Sequence, residues 1–443
     1  MGADGTRGRD RVRVAVGMLL AVGVAGGVGW AMLARNTRRG LTPEGGGGRL
    51  DVDAWRALCA ASGAPLPCGD ANLARLRRIV KRGGVVDAVR PLCWPILFGL
   101  DAEGDAGADL PGTSMPASAL GGQWGRRRAF QVGRRERYKE LLHKVGDAMR
   151  EVRPVGEDLL QGGFAGALRD AARVLDIDLQ RLSGDPEDAD VAAMRPMLRR
   201  IVLAHVALDP EVGYCQGMAE VAAPFLGVLL QFGHTDTMGH SAGGAEDGVV
   251  GGVTLAESEA FWLFEAVLRR HLGDNFRDGF RGVWSQLRCV RQLCTRHDPA
   301  LARAIVASGI AQWPTLEEAK DDSAGMKAGE MAARLYAEPF LFCFRAILLG
   351  FRRELSRDAF LVLLEIRAAD AQPARAALLA CHFLAAMLIQ GRGKLLAHDG
   401  TDIGRDEACY SFFQDAGACK SIAFWPTLAR ARAMLARSRL SEL

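Results

Sequence analysis

MRPMLRRIVLAHVALDPEVGYCQGM, Met194 to Met218, holds a long helix and a short chemical motif back to back. Met194, Met197, Leu198, Ile201, Val202 and Val206 recur at spacings of three and four, the signature of one apolar face on an α-helix. GYCQGM (Gly213 to Met218) follows directly behind that helix. Core packing does not ask for Gln216 there. A glutamine amide donates and accepts at once, which suits the task of holding a water molecule. From about Leu50 to the end the pattern continues as helix after helix, with no run of alternating strands, so the expected fold class is all-α.

The totals are ordinary for a globular protein: 443 residues, 49% hydrophobic, 24% charged, net charge +4. Arginine far outnumbers lysine, yet no basic stripe with interleaved aromatics appears, which argues against nucleic acid as a partner. The 10 cysteines form no CxxC pair and fit no zinc spacing, so they are expected to be reduced, buried thiols. No Walker A pattern is present, and the chain is not expected to bind nucleotide itself.

Val14 to Ala34 carries no charge and lies between Arg11 and Arg13 on one side and Arg35, Arg38 and Arg39 on the other. It is long enough to span a bilayer, with Trp30 near one end. Gly23-x-x-x-Gly27 within it suits close helix approach, although glycine is common throughout this chain. MGADGT at the start also fits the pattern for myristoylation of Gly2, which conflicts with a spanning helix. The flanking arginines are too evenly divided to fix an orientation. The organisation expected from these features is a basic tail over residues 1–13, a transmembrane helix over 14–34, a linker with leading helices over 35–81, and one large helical domain over 82–439. Asp101 to Gly125 and His234 to Gly252 are rich in Gly, Ala, Ser and Asp and are expected to be poorly packed inserted loops. Ala376 to Ile389 is apolar but too short to span and is expected to be a buried helix.

A second motif lies 35 positions before Gln216. VLDIDLQRL contains Leu175-x-x-Asp178-x-x-Arg181, three residues on one side of a helix, where the aspartate is placed to steer the guanidinium. The two motifs in this order resemble the TBC domain of Rab GTPase-activating proteins, which carries Ile-x-x-Asp-x-x-Arg, then a helix, then Tyr-x-Gln-Gly. Here the second reads Tyr214, Gln216 and Gly217. GGVVDAVRPLCWPILFGL (Gly83 to Leu100) is similar to the family's opening helix, with Arg90 and Trp94 in the expected places. AFWLFEAVL (Ala260 to Leu268), FRAILLGFRREL with LVLLEI (Phe344 to Ile366) and FFQDAG near Phe412 resemble later blocks, so the likeness covers roughly Arg82 to Leu435. Departures are Leu182, where the family usually has threonine, Leu175 in place of isoleucine, and Ala346 and Leu364 in place of tryptophans.

The resemblance implies a two-lobed helical array with a groove that receives a GTP-bound Rab-type GTPase. It implies that Arg181 and Gln216 act as catalytic fingers in trans, supported by Asp178, Tyr214 and Gly217, with Arg90 and Trp94 at the partner surface. GTP and Mg²⁺ would belong to the partner, and the chain itself would need no cofactor or metal. A cytosolic substrate places the helical domain in the cytosol, held to an endomembrane by residues 14–34. The alternatives are a catalytically weak module that binds a Rab as a membrane-anchored scaffold, and a tethering protein without GTPase contact. Cys215 with His205 or His234 offers a thiol–imidazole pair, but His205 lies on the apolar helix face and is expected to be a core histidine. Cys381 and His382 are neighbours on a helix, where side chains diverge by about 100°, and packing accounts for them better than metal binding.

Overall fold

The computed structural model describes residues 48–63, 66–67, 69–101, 122–151, 163–182, 191–232, 249–250, 253–307, 338–397, 408–413, 419 and 421–438. Val14 to Ala34, and most of both segments expected to be loops, lie outside the described residues. Among the described residues, no helix is long and apolar enough to cross a membrane. The chain divides into two compact units.

The first unit comprises Pro43–His271 and Phe360–Pro373. It opens with α1 (Val52–Ser62), whose first turn is capped by the Asp51 carboxylate accepting from the Ala54 amide at 2.8 Å. α2 (Asp70–Gly83) leads to a short backbone bridge, in which the Leu50 amide donates to the Gly84 carbonyl and the Val86 amide to the Leu50 carbonyl. Gly84 sits at φ +75°, and a Cβ there would meet the Val362 side chain at 2.8 Å, so this position needs glycine twice over. α3 (Arg90–Leu97) follows.

The centre of this unit is built from α4 (Gly122–Arg150), α5 (Phe164–Arg181), α6 (Val191–Leu208), α7 (Met218–Phe232) and α8 (Leu255–Val267). α6 matches the helix expected from its spacing, with Met194, Leu198, Ile201 and Val202 fully buried. α7 and α8 are buried on nearly every side, which demands apolar residues all round. Yet α8 carries Glu257, Glu259 and Glu265, all buried.

A buried charge is costly unless paired, and each of these acids has its partner. Arg200 forks onto both oxygens of Glu257 at 2.8 and 2.7 Å, and the Tyr138 hydroxyl donates to the same carboxylate at 2.8 Å. Arg134 forks onto Glu259 at 3.0 and 2.8 Å. His205 Nδ1 lies 2.7 Å from Glu265. The pairs fix the rotation of α8 against α4 and α6, which an all-round apolar helix would leave unspecified. The same device recurs at Glu365, which accepts from Arg90 Nε at 2.7 Å, the Trp94 indole at 2.9 Å and the Val85 amide at 2.8 Å.

Two expectations need correction here. Helix α4 begins at Gly122, inside the segment read as a loop to Gly125. Val249–Val250, at the end of the second such segment, pairs antiparallel with Val253–Thr254 just beyond it, a small hairpin. Four β-branched residues around Gly251-Gly252 in the sequence supply the local chemistry of a hairpin.

The second unit comprises Leu272–Ala359 and Ala374–Leu443. Its described helices include α9 (Gly273–Phe276), α10 (Arg281–His297), α11 (Pro299–Ala307), α12 (Phe344–Leu348) and, after α13 (Arg357–Ala368), α14 (Pro373–Gln390), α15 (Arg392–Leu395) and α16 (Phe424–Arg437). α14 is the expected buried helix, with Phe383 to Leu388 at most 1% exposed. Aromatic rings knit the unit: Phe351 meets Phe383 at 5.5 Å, and Phe383 meets Phe424 at 5.7 Å between centroids. Ala346 and Leu364 are both buried, so smaller side chains fill sites where the resemblance leads one to expect tryptophan. The described cysteines are all free. His382 is held by packing, with Nδ1 2.8 Å from the Leu378 carbonyl and Nε2 3.1 Å from the Ser438 hydroxyl.

Candidate functional site

Helix α5 ends at Arg181, and Leu182 leaves it in an extended conformation. Leu168, Ala171, Ala172, Leu175 and Leu179 face the core. Leu175, the first residue of the motif, is therefore a packing residue, and leucine serves that role as isoleucine would. Arg181 is exposed at the C-terminal turn, where a cation is favoured by the helix dipole. Among the described residues its guanidinium has no ion pair or hydrogen bond, which leaves its planar fork of donors unspent.

Two arginines of α6 hold the end of α5. Arg199 forks onto Asp176 at 2.7 and 3.2 Å, and Arg195 donates to the Gln180 carbonyl at 3.4 Å. Both pairs are largely exposed and contribute little stability. Their effect is positional: they hold the last two turns of α5, which end at Arg181, against α6. They were not singled out from the sequence. The available signal was the i, i+4 spacing of Arg195 and Arg199 on a helix that directly follows the motif.

The loop behind α6 is shaped by backbone bonds and two glycines. The Asp209 amide donates to the His205 carbonyl at 2.8 Å and the Gly213 amide to the Asp209 carbonyl at 3.0 Å. The Asp209 carboxylate accepts from the Val212 amide at 3.2 Å. Gly213 at φ +60° and Gly217 at φ +95° take conformations that other residues adopt only with strain. The Met218 amide, just after Gly217, closes a turn onto the Cys215 carbonyl at 3.1 Å and starts α7. Gln216 is half-buried in this turn, and its side-chain amide makes no hydrogen bond among the described residues.

One contact joins the two motifs. The Tyr214 hydroxyl donates to the Asp178 carboxylate, across 36 positions of sequence. Burial first, and then the adjacent Asp178 charge, raises the Tyr214 phenol well above its ordinary value, so it remains a donor. The expected steering of Arg181 by Asp178 is not seen, since Arg181 has no ion pair among the described residues; the Asp178 carboxylate instead anchors the loop through Tyr214. Arg181 is one helical turn from Asp178, about 5–6 Å away along the face. Gln216 is two residues from Tyr214, at most about 7 Å of chain. The last turn of the arginine-bearing helix and the glutamine-bearing turn are therefore tied into one neighbourhood by this contact.

Arg90 and Trp94, expected at a partner surface, are fully buried. Their polar atoms are taken up by Glu365 and, for Arg90, also by Asp87. Their visible role is to join α3 to the Phe360–Pro373 segment within the first unit. The thiol–imidazole alternative built on His205 also fails here. His205 is buried against Glu265 through Nδ1, and its Nε2 has no hydrogen-bond partner among the described residues. His234 lies outside the described residues.

Residues 167–312, which include both motifs, match the Rab-GTPase-TBC domain. The chain is 28% identical over 178 residues to Rab GTPase-activating protein 22 of Arabidopsis thaliana, covering 40% of this chain and 22% of that protein. It is 31% identical over 140 residues to Small G protein signaling modulator 3 of Homo sapiens, covering 30% of this chain and 15% of that protein. The chain thus matches about a fifth or less of the length of these relatives. Its fold is similar to that of the crystal structure of the Ypt/Rab-GAP domain of Gyp1p, with a TM-score of 0.56, 16% identity, and coverage of 87% of this chain and 99% of that one. At that identity the likeness speaks for the fold alone.

Proposed function

We propose that this chain, whose residues 167–312 match the Rab-GTPase-TBC domain, accelerates GTP hydrolysis by a GTP-bound Rab-type GTPase, supplying Arg181 and Gln216 in trans. The observation that carries this reading is the Tyr214–Asp178 bond, which ties the arginine-bearing helix end to the glutamine-bearing turn. Hydrolysis builds negative charge on the phosphoryl and leaving oxygens. An arginine brought in from outside offsets that charge, worth about 10³- to 10⁵-fold in rate. Arg181, exposed and without a partner among the described residues, is available for it. The water that attacks must also be aligned, and the Gln216 amide is equipped to donate and accept for that purpose.

Asp178 and Tyr214 hold the two groups at a set separation, and Gly217 supplies the turn that presents Gln216. Nucleotide and Mg²⁺ are the partner's. The domain's proposed extent is 82–439, with residues 14–34 as a membrane anchor that keeps it on a cytosolic endomembrane surface. A GTP-hydrolysis screen of residues 50–443 against a panel of GTP-loaded Rab proteins tests the reading. Stimulation of at least one Rab supports it, and no stimulation across the panel contradicts it.

A further inference from the structure

Helix α5 has a second stripe that its packing does not use. Ala167, Asp170, Val174, Ile177 and Arg181 recur at spacings of three and four and lie on the exposed side. Val174 is 41% and Ile177 46% exposed, and they are two of only four large hydrophobic residues exposed among the described residues. Single exposed apolar residues need no explanation. Two β-branched residues on one helix face, leading within two turns to a guanidinium with no partner among the described residues, form a graded surface: apolar for about 5 Å, then cationic about 6 Å further on. Asp178 borders this stripe on the side where Tyr214 and the GYCQGM turn attach. An occupant seated on Val174 and Ile177 therefore meets Arg181 at one end and the Gln216 turn along one flank.

We propose that Val174 and Ile177 are the apolar docking contacts for the nucleotide-bearing GTPase and set which GTPase is accepted. The occupant must present apolar side chains and, about 6 Å beyond them along the helix, anionic oxygens for Arg181. A protein carrying a nucleoside triphosphate at its surface meets both demands; an apolar segment of protein alone does not meet the second. This inference rests on the reading of Arg181 given above, and it assigns different work to the two parts of the stripe. Arg181 acts in the transition state and governs turnover. Val174 and Ile177 are buried equally in ground and transition states, so they govern affinity.

The test uses the Rab that the wild-type protein stimulates most in the panel. The double variant Val174→Gln/Ile177→Gln keeps the helix, because both sites are exposed and glutamine is a better helix former than either residue. It is expected to raise KM for that Rab about tenfold or more with kcat within about twofold, the converse of Arg181→Ala. Val132→Gln on α4, at a residue 62% exposed, is the control and is expected to change neither constant. If the wild-type protein stimulates the Rab and the double variant has an unchanged KM, the docking assignment is wrong while the proposed function stands. If no Rab is stimulated, both fall. If the wild-type chain sediments as a dimer that the double variant dissociates, the stripe is a self-contact and the assignment is likewise overturned.

Discussion

Tyr214→Phe keeps the ring and removes only the hydroxyl that reaches Asp178. A hydrogen bond to a charged group contributes about 1.5–3 kcal/mol. Both partners are half-buried, so solvent recovers part of that, and the expected loss is about 1–2 kcal/mol. For a unit of this size that corresponds to about 2–8 °C in melting temperature. Asp178→Asn weakens the same bond from the other side, so the two changes should not add. A urea-unfolding cycle with Tyr214→Phe, Asp178→Asn and the double variant measures their coupling, expected at about 1 kcal/mol or more. Stimulated hydrolysis should fall with each, though less than on loss of Arg181, since the bond only holds the fingers in place. Additivity within about 0.3 kcal/mol would show that the contact does not fasten loop to helix, and the argument for a common neighbourhood would collapse with it.

Glu365→Ala leaves the fully buried Arg90 guanidinium, the Trp94 indole and the Val85 amide short of their shared acceptor. The expected destabilisation is about 3–5 kcal/mol, read by chemical denaturation, with Glu365→Gln milder because an acceptor remains; a loss under about 1 kcal/mol would mean that the cluster does not hold α3. Residues 14–34 are expected to keep the full-length protein in the membrane fraction after carbonate extraction, with a C-terminal tag open to protease; release by carbonate would refute the anchor.

Parts of this molecule were legible from local pattern. The helix of Met194 to Val206 declares its buried face by spacing, and α14 declares its burial by composition. Arg181 and Gln216 stand out because their neighbours follow an ordered pair of motifs. The role of Arg90 was misjudged because side-chain type does not reveal facing: the residue that buries it, Glu365, lies 275 positions away. The acids of α8 are the same problem in reverse, since Glu257, Glu259 and Glu265 look like a solvated face until Arg200, Arg134 and His205 arrive from other helices. The start of α4 was missed because GQWGRRR offers glycine and charge where apolar periodicity was sought. Val174 and Ile177 carried no signal at all, because an apolar residue on an amphipathic helix is assigned to the core by default.

The central claim is that Arg181 and Gln216 act together on a partner's nucleotide. The measurement that tests it most directly is single-turnover hydrolysis by a GTP-loaded Rab, with its binding measured in parallel. Arg181→Ala, Arg181→Lys and Gln216→Ala should each lower the stimulated rate by at least about a hundredfold while the Rab still binds, lysine failing because it lacks the planar fork. A Rab whose own glutamine is replaced should still be stimulated by the wild-type protein. Stimulation that survives Gln216→Ala but vanishes with the Rab variant would contradict the account.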